Sequence, residues 1–186
     1  MAMTRVFERR RIWRMAHDDF LAAAYLIARQ EAARAPVSVI GVARGGVRLA
    51  EIVAKQLGVP AVTVRARHNA GEDVRQAATG CVDVDAEHNT AVLASLETGR
   101  RLLIVDDICG SGATLAQVIG QITAQVAPAS VRTAVLCRNA GATYPVDSWG
   151  WDVADWVHFP WEPEPSQPTE PLPPITRLRA PARQSS

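Results

Sequence analysis

The sequence predicts an α/β domain, a central parallel sheet of about five strands flanked by helices on both faces. Three observations predict it. Two nearly continuous apolar runs, Val37 to Val42 and Leu102 to Val105, suit strands that are buried on both faces. Each run ends in a turn of small residues, Ala43-Arg44-Gly45-Gly46 in one case and Gly110-Ser111-Gly112-Ala113-Thr114 in the other. Each turn leads into apolar residues at helical spacing, so the strand–turn–helix unit is used twice.

In chain order, residues 9–14 read as a short strand or edge segment. From Asp18 or Asp19 onward, Phe20, Leu21, Ala24, Tyr25, Ile27 and Ala28 recur with helical period, and the acidic start suits the helix dipole. Pro36 closes that helix, and Val37 to Val42 forms the first buried strand. A helix from Val47 to Leu57 follows and stops at Gly58. Residues 61–67 read as a strand and His68 to Gly80 as an irregular polar stretch. Cys81 to Asp85 reads as another short strand. After the second buried strand, Leu115, Val118, Ile119, Ile122 and Val126 mark a helix, and Ser130 to Leu136 a further strand. The last ordered piece expected is Asp155 to Glu162.

From Pro160 onward lie eight of the twelve prolines. The stretch PEPSQPTEPLPP therefore reads as extended and disordered. The expected organisation is one domain over residues 1–162 and a proline-rich, disordered tail over 163–186.

Composition narrows the function classes. The chain has 186 residues, 48% of them hydrophobic, enough for one well-cored domain. A net charge of +1 supplies no basic face, so no nucleic-acid partner is expected. No apolar run approaches the ~20 residues of a membrane span, and no signal-peptide core follows the basic residues Arg5 to Arg14. Cys81, Cys109 and Cys137 are odd in number and in no zinc spacing. A reduced, cytoplasmic protein without a membrane partner is the expectation.

The second strand–turn–helix unit carries the chemistry. Asp106 and Asp107 follow the apolar run where a parallel strand reaches the carboxyl edge of its sheet, and ligands collect at that edge. The turn Gly110 to Thr114 then presents free backbone N–H groups at a helix start, which is an anion site. A phosphate on that turn beside two carboxylates suits a sugar phosphate, whose hydroxyls or bound metal the carboxylates would meet. A nucleoside triphosphate fits less well, because the turn has no lysine and no G-x-G-x-x-G spacing. In the first unit, Gly45 and Gly46 let the backbone approach an anion while Arg44 supplies a charge-assisted donor.

Val105-Asp106-Asp107-Ile108 followed by Ser111-Gly112-Ala113-Thr114 resembles the phosphoribosyl pyrophosphate (PRPP) signature of the type I phosphoribosyltransferases. The Cys137-Arg138-Asn139-Ala140-Gly141 and Trp156-Val157-His158-Phe159-Pro160-Trp161-Glu162 segments resemble those of the bacterial xanthine–guanine enzyme and its archaeal purine relatives. The resemblance implies the type I fold with a small hood built from terminal segments. It also implies an enzyme that moves the 5-phosphoribosyl group from PRPP to a ring nitrogen of a purine-like base and releases pyrophosphate. By the same resemblance Arg44, Gly45 and Gly46 hold the pyrophosphate and Gly110, Ser111, Gly112, Ala113 and Thr114 the 5′-phosphate. Asp106 and Asp107 meet the ribose hydroxyls or Mg²⁺, and they are the catalytic residues together with Arg44. Arg138, Trp156 and Val157 receive the base, Trp156 by stacking. A flap near residues 68–80 would exclude water, with Arg65, Arg67 and Arg75 as candidate diphosphate contacts. A homodimer or homotetramer is the implied assembly.

Two departures stand out. In 6-oxopurine enzymes an aspartate precedes the [ST]G pair, and here that position is Gly110. The lysine that donates to the 6-oxo group is replaced by Arg138, which donates as a rigid fork. Gly110 leaves room for a base with no N7–H or with a substituent there, such as a 7-carboxy-7-deazaguanine of nucleoside biosynthesis. A PRPP-sensing regulator of the same fold is the alternative of another class.

Overall fold

The structure, a computed structural model, describes residues 5–68, 82–175 and 177–178. The chain runs β1 (Ile12–Arg14), α1 (His17–Ala32), β2 (Ser38–Ala43), α2 (Gly46–Leu57), β3 (Ala61–His68), β4 (Val82–Val84) and α3 (Ala86–Leu93). It continues β5 (Arg101–Cys109), α4 (Ala113–Val126), β6 (Ser130–Asn139), β7 (Ser148–Val153), β8 (Trp156–His158) and β9 (Glu170–Pro171). The main sheet has six strands in the order β4-β3-β2-β5-β6-β7, all parallel except for the β3–β4 pair. It is therefore one strand larger than the sequence suggested.

Strand β5 sits at the centre, and its apolar run is divided between two cores. Leu103 and Val105 pack with Phe20 and Ile27 of α1, Leu49 and Val53 of α2, and Trp151. Leu102 and Ile104 face Leu115, Val118 and Ile122 of α4 on the other side. Full burial on both faces explains the unbroken run, because neither face of the strand meets water.

Helix α3 and strand β7 escape the sequence pattern, as does strand β9 described below. Helix α3 is short, with only Asn89 and Leu93 buried, and tertiary contacts define it. The Asp85 carboxylate caps it by accepting from the His88 N–H at 3.0 Å. The buried Asn89 amide pairs with the backbone of Arg65, accepting at 2.7 Å and donating at 3.1 Å. Strand β7 contains Gly150 and Asp152, weak strand formers. It is held as an edge partner of β6, with the Trp151 side chain buried in the core.

The opposite end of α1 is tied by a polar network. Glu31, 1% exposed, accepts two hydrogen bonds from Arg132 of β6, at 2.6 and 3.0 Å, and one from the Ser148 hydroxyl of β7. The carboxylate beside it raises the pKa of Arg132.

A second, three-stranded parallel sheet, β8-β1-β9, forms the hood. Here the expected boundary at Glu162 is corrected. Strand β9 pairs with β1, the Leu172 N–H donates to the Arg14 carbonyl at 3.0 Å, and Leu172 and Leu178 are buried. The Trp151 indole N–H donates to the Pro173 carbonyl at 2.7 Å. Arg14 pairs with Glu164, and Arg177 with Asp152. Prolines lack the N–H but keep the carbonyl, and an edge strand tolerates them. Composition registers the scarcity of apolar residues in this segment but not that its two leucines are the ones buried. Residues 179–186 lie outside the described part.

Candidate active site

The site begins where β2 and β5 lie side by side, with Gly41 opposite Val105 in the ladder. Their carboxyl ends then deliver the Arg44-Gly45-Gly46 turn and the Asp106-Asp107 pair to one place. A Cβ on Gly45 would lie 1.8 Å from Oδ2 of Asp107, and one on Gly46 would lie 2.5 Å from the Val105 carbonyl oxygen. Only glycine allows this approach. Arg44, at the mouth of the turn, is exposed, and the Ala43–Arg44 peptide is cis.

Asp106 is 8% exposed, and its Oδ1 accepts from the Asp107 N–H at 2.9 Å. Burial raises the pKa of both carboxyls. For Asp106 the charge of Asp107 adds to the effect. Asp107 is pushed up to about 6, against the hydrogen bond from the Ile108 N–H and the charge of Arg5, with Glu162 adding to the rise. Two acids held close together in a dry place favour a partner that brings positive charge or hydroxyl donors.

One turn further on, Ser111 is buried and its Oγ accepts from the Ala113 N–H at 3.3 Å. Gly112 has φ 95°, and a Cβ there would lie 2.2 Å from Cβ of Tyr144. The segment before β7 therefore braces the turn from outside. Helix α4 starts at Ala113, so its first N–H groups lie with the Gly110 to Thr114 turn at a helix N-terminus, an arrangement suited to an anion. The flanking thiols are inert: burial, with help from Asp106, pushes Cys109 up to about 12, and burial raises Cys137 well above its usual value.

The neighbourhood of Trp156 departs most from expectation. Trp156 stands in β8, half-buried, and the ring of Phe7 stacks on it at 4.8 Å and 21°. The Arg5 guanidinium lies 4.8 Å from the Phe7 ring centre and 4.9 Å from that of Trp156. A Cβ on Gly110 would sit 3.3 Å from Cδ of Arg5. Arg5 thus bridges Gly110 and Trp156. Burial lowers its pKa, while Asp107 acts in the opposite sense.

This N-terminal segment is held by backbone contacts. The Val6 N–H donates to Asn139 Oδ1 at 2.8 Å, and Asn139 Nδ2 donates to the Val6 carbonyl at 2.9 Å. The Glu8 N–H donates to the Ala154 carbonyl at 2.8 Å, and the Arg10 N–H to Asp155 Oδ1 at 3.3 Å.

The expected site residues thus fall into three groups. Arg44 to Gly46, Asp106, Asp107 and Gly110 to Thr114 come together. Val157 is buried opposite Trp13 in the β1–β8 ladder, next to Trp156. Arg138 is turned elsewhere: its guanidinium lies 4.9 Å from the Trp149 ring centre and 3.8 Å from Asp152, and it donates to the Ala142 carbonyl at 3.3 Å. Arg65 pairs with Asp85 at 3.3 Å, the side chain of Arg67 is not described, and Arg75 lies outside the described residues. Sequence reasoning missed Arg5 and Phe7, which read only as part of a basic N-terminus, and gave no role to Asn139 or Tyr144. No local pattern marks them, because their partners are distant in sequence.

A cavity of about 640 Å³ borders the ring stack, lined by Phe7, Arg9, Arg11, Trp156, Pro168 and Glu170 among others. It belongs to the hood, and neither aspartate lines it. Among the described residues, no helix is long and apolar enough to cross a membrane.

Comparison with known proteins agrees with this fold. Purine phosphoribosyltransferase from Pyrococcus horikoshii superposes with TM-score 0.68 at 22% identity, over 85% of this chain and 99% of that one. Xanthine-guanine-hypoxanthine phosphoribosyltransferase from Helicobacter pylori gives 0.65 at 18%, over 81% and 91% of the two chains. A hypothetical protein from Neisseria gonorrhoeae with bound ppGpp gives 0.60 at 18%, over 81% and 90%. The sequence profile of the phosphoribosyl transferase domain matches residues 17–167, from the start of α1 into the segment before β9. The chain belongs to the phosphoribosyl transferase domain family, and with the type I fold it has that family's glycosyltransferase character.

Proposed function

We propose that this enzyme transfers the 5-phosphoribosyl group from PRPP to a ring nitrogen of a purine-like base of the xanthine or guanine type, with release of pyrophosphate. The contact that carries the reading is Gly45 against the Asp107 carboxylate. It joins an anion-binding turn to a pair of carboxylates beside a second anion-binding turn, which is the spacing a sugar carrying phosphates at both ends requires.

In this reading, the backbone of Gly45 and Gly46 and the guanidinium of Arg44 hold the departing diphosphate. Residues Gly110 to Thr114 hold the 5′-phosphate, and Asp106 and Asp107 accept hydrogen bonds from the ribose hydroxyls. The C1–oxygen bond breaks with its electron pair going to the departing pyrophosphate, the C1–nitrogen bond forms, and the proton of the ring nitrogen passes to solvent water. Most of the rate would come from positioning and from stabilising charge on the leaving group.

The residues present fit Mg²⁺ as a shared ligand rather than a caged one. Among the described residues, no cluster of three or more His, Cys, Asp or Glu exists, so the chain offers Asp106 and Asp107 and the substrate would supply the rest. When bound, the ion would neutralise charge on the diphosphate.

A second reading, an acceptor such as 7-carboxy-7-deazaguanine, draws on Gly110 lying under Arg5, where a side-chain carboxylate would have stood. The test is pyrophosphate release from PRPP and Mg²⁺ with guanine, xanthine, hypoxanthine, adenine and the deazapurine in parallel. Turnover with xanthine or guanine supports the first reading, and turnover with the deazapurine alone supports the second. PRPP binding without turnover on any base would favour the regulator. Sedimentation of the same preparation tests the dimer or tetramer.

A further inference from the structure

Among the described residues, Arg5 has no carboxylate in ion-pair contact. Its Nε is buried with no hydrogen-bond partner, and no ion pair forms to it among the described residues. The acidic groups facing it are Asp107 and, more weakly, the thiols of Cys109 and Cys137, none in ion-pair contact. Among the described residues, the rings of Phe7 and Trp156 lie against the guanidinium. Such ring contacts contribute modestly, and the half-buried side chain keeps a buried Nε–H with no acceptor. The position is nevertheless enforced, because the neighbouring Val6 backbone is held at both ends by the fully buried Asn139.

Gly110 and Arg5 form one trait. Any side chain at residue 110 would press on the Arg5 stem, since even a Cβ would come within 3.3 Å of Cδ. A carboxylate there would pair with the guanidinium and cancel it. A glycine leaves the positive charge free, with Asp107 on one side and the Trp156 ring on the other. A group reachable from all three belongs to the acceptor, at the edge nearest the ribose.

We infer that Arg5 is an acceptor-specificity residue, and that it selects a heterocycle carrying an acidic substituent, a carboxylate, on the edge that faces Gly110. This rests on the phosphoribosyl-transfer reading and narrows its substrate class. The guanidinium donates a charge-assisted pair of hydrogen bonds to the carboxylate, and the loss of its water is compensated only when such an acceptor is bound. A phosphate of PRPP carries the same chemistry, and the experiment separates the two sources.

The probes are 7-carboxy-7-deazaguanine and 7-deazaguanine, which differ only in the carboxylate. Steady-state kinetics and tryptophan-fluorescence titration would be run on the full chain and on its Arg5→Ala and Arg5→Lys variants. The parent is expected to prefer the acid by at least tenfold. Arg5→Ala should lower kcat/KM for the acid roughly 10- to 100-fold, the range for a lost hydrogen bond to a charged group. The neutral probe and the KM for PRPP should move less than about threefold by the same criterion, and Arg5→Lys should recover part of the loss. A rise in the PRPP KM would assign Arg5 to a phosphate and overturn the inference. Equal losses on both probes would make the role structural and overturn it as well. If the parent turns over neither probe, the transfer reading fails on those acceptors. The fluorescence titration then decides alone: Arg5-dependent binding of the acid sustains the inference, and its absence overturns it.

Discussion

Asn139 grips Val6 with both ends of its amide, accepting from the N–H at 2.8 Å and donating to the carbonyl at 2.9 Å, across 133 residues of sequence. The last residue of β6 thereby positions the segment that carries Arg5 and Phe7. The same Oδ1 also accepts from the Gly141 N–H at 2.9 Å, so one side chain shapes both the turn after β6 and the N-terminal wall of the site.

Replacing Asn139 with alanine should free that wall. Stability should fall by about 1–3 kcal/mol for the unsatisfied backbone groups, and the acceptor KM should rise while the PRPP KM holds. Phe7→Ala should give the same kinetic direction, since Phe7 fixes the plane of Trp156, with an increase of roughly 3- to 10-fold for a lost aromatic pair. A Phe7→Ala enzyme that binds acceptor more tightly than the parent would show that Phe7 blocks the ring instead.

Gly45→Ala should leave a folded protein with a damaged donor site. The new methyl would overlap Asp107 Oδ2, so the carboxylate or the turn must move. Displacement of about an ångström at such a place can cost on the order of 10²-fold in rate. The check is kcat/KM for PRPP beside an unchanged far-ultraviolet circular dichroism spectrum.

Asp107→Asn should separate function from stability. The Asp107 carboxyl is pushed up to about 6 by burial, so it holds its proton more tightly folded than unfolded. Its contribution is favourable below the unfolded carboxyl pKa of about 3.9 and is lost as the pH rises through the folded value. Without divalent cations, the asparagine variant should therefore be the more stable at pH 7.5, by roughly 1–3 kcal/mol, converging with the parent near pH 4. Its turnover should fall sharply. Urea melts at the two pH values read the first effect, and equal shifts at both would contradict it.

Truncation after Glu162 should destabilise the domain, because it removes β9, the buried Leu172 and Leu178, and the carbonyl that receives the Trp151 indole. Leu172→Ala alone should cost a few kcal/mol, within the 2–5 kcal/mol typical of a buried leucine. Unchanged urea midpoints in both would mean that the segment is a passive tail.

Much of this protein was determined by the sequence alone. The two short apolar runs, each ending in a glycine turn, suited strands buried on both faces, and they are. The glycine turns that follow them fall at the carboxyl edge, so β2, β5, the Asp106-Asp107 pair and both glycine turns were legible from local pattern. What local pattern does not encode is which distant segments meet. The pairing of Asn139 with Val6, the ring of Phe7 on Trp156 and the return of β9 to β1 each join residues far apart in the chain. So does the turning of Arg138 toward Trp149 and Asp152. Short strands such as β7 and β9 and the small helix α3 have weak propensities of their own, and the surfaces they cover decide that they form. Tertiary structure therefore decided the surroundings of Trp156, because they are assembled from the two ends of the chain, where periodicity is least informative.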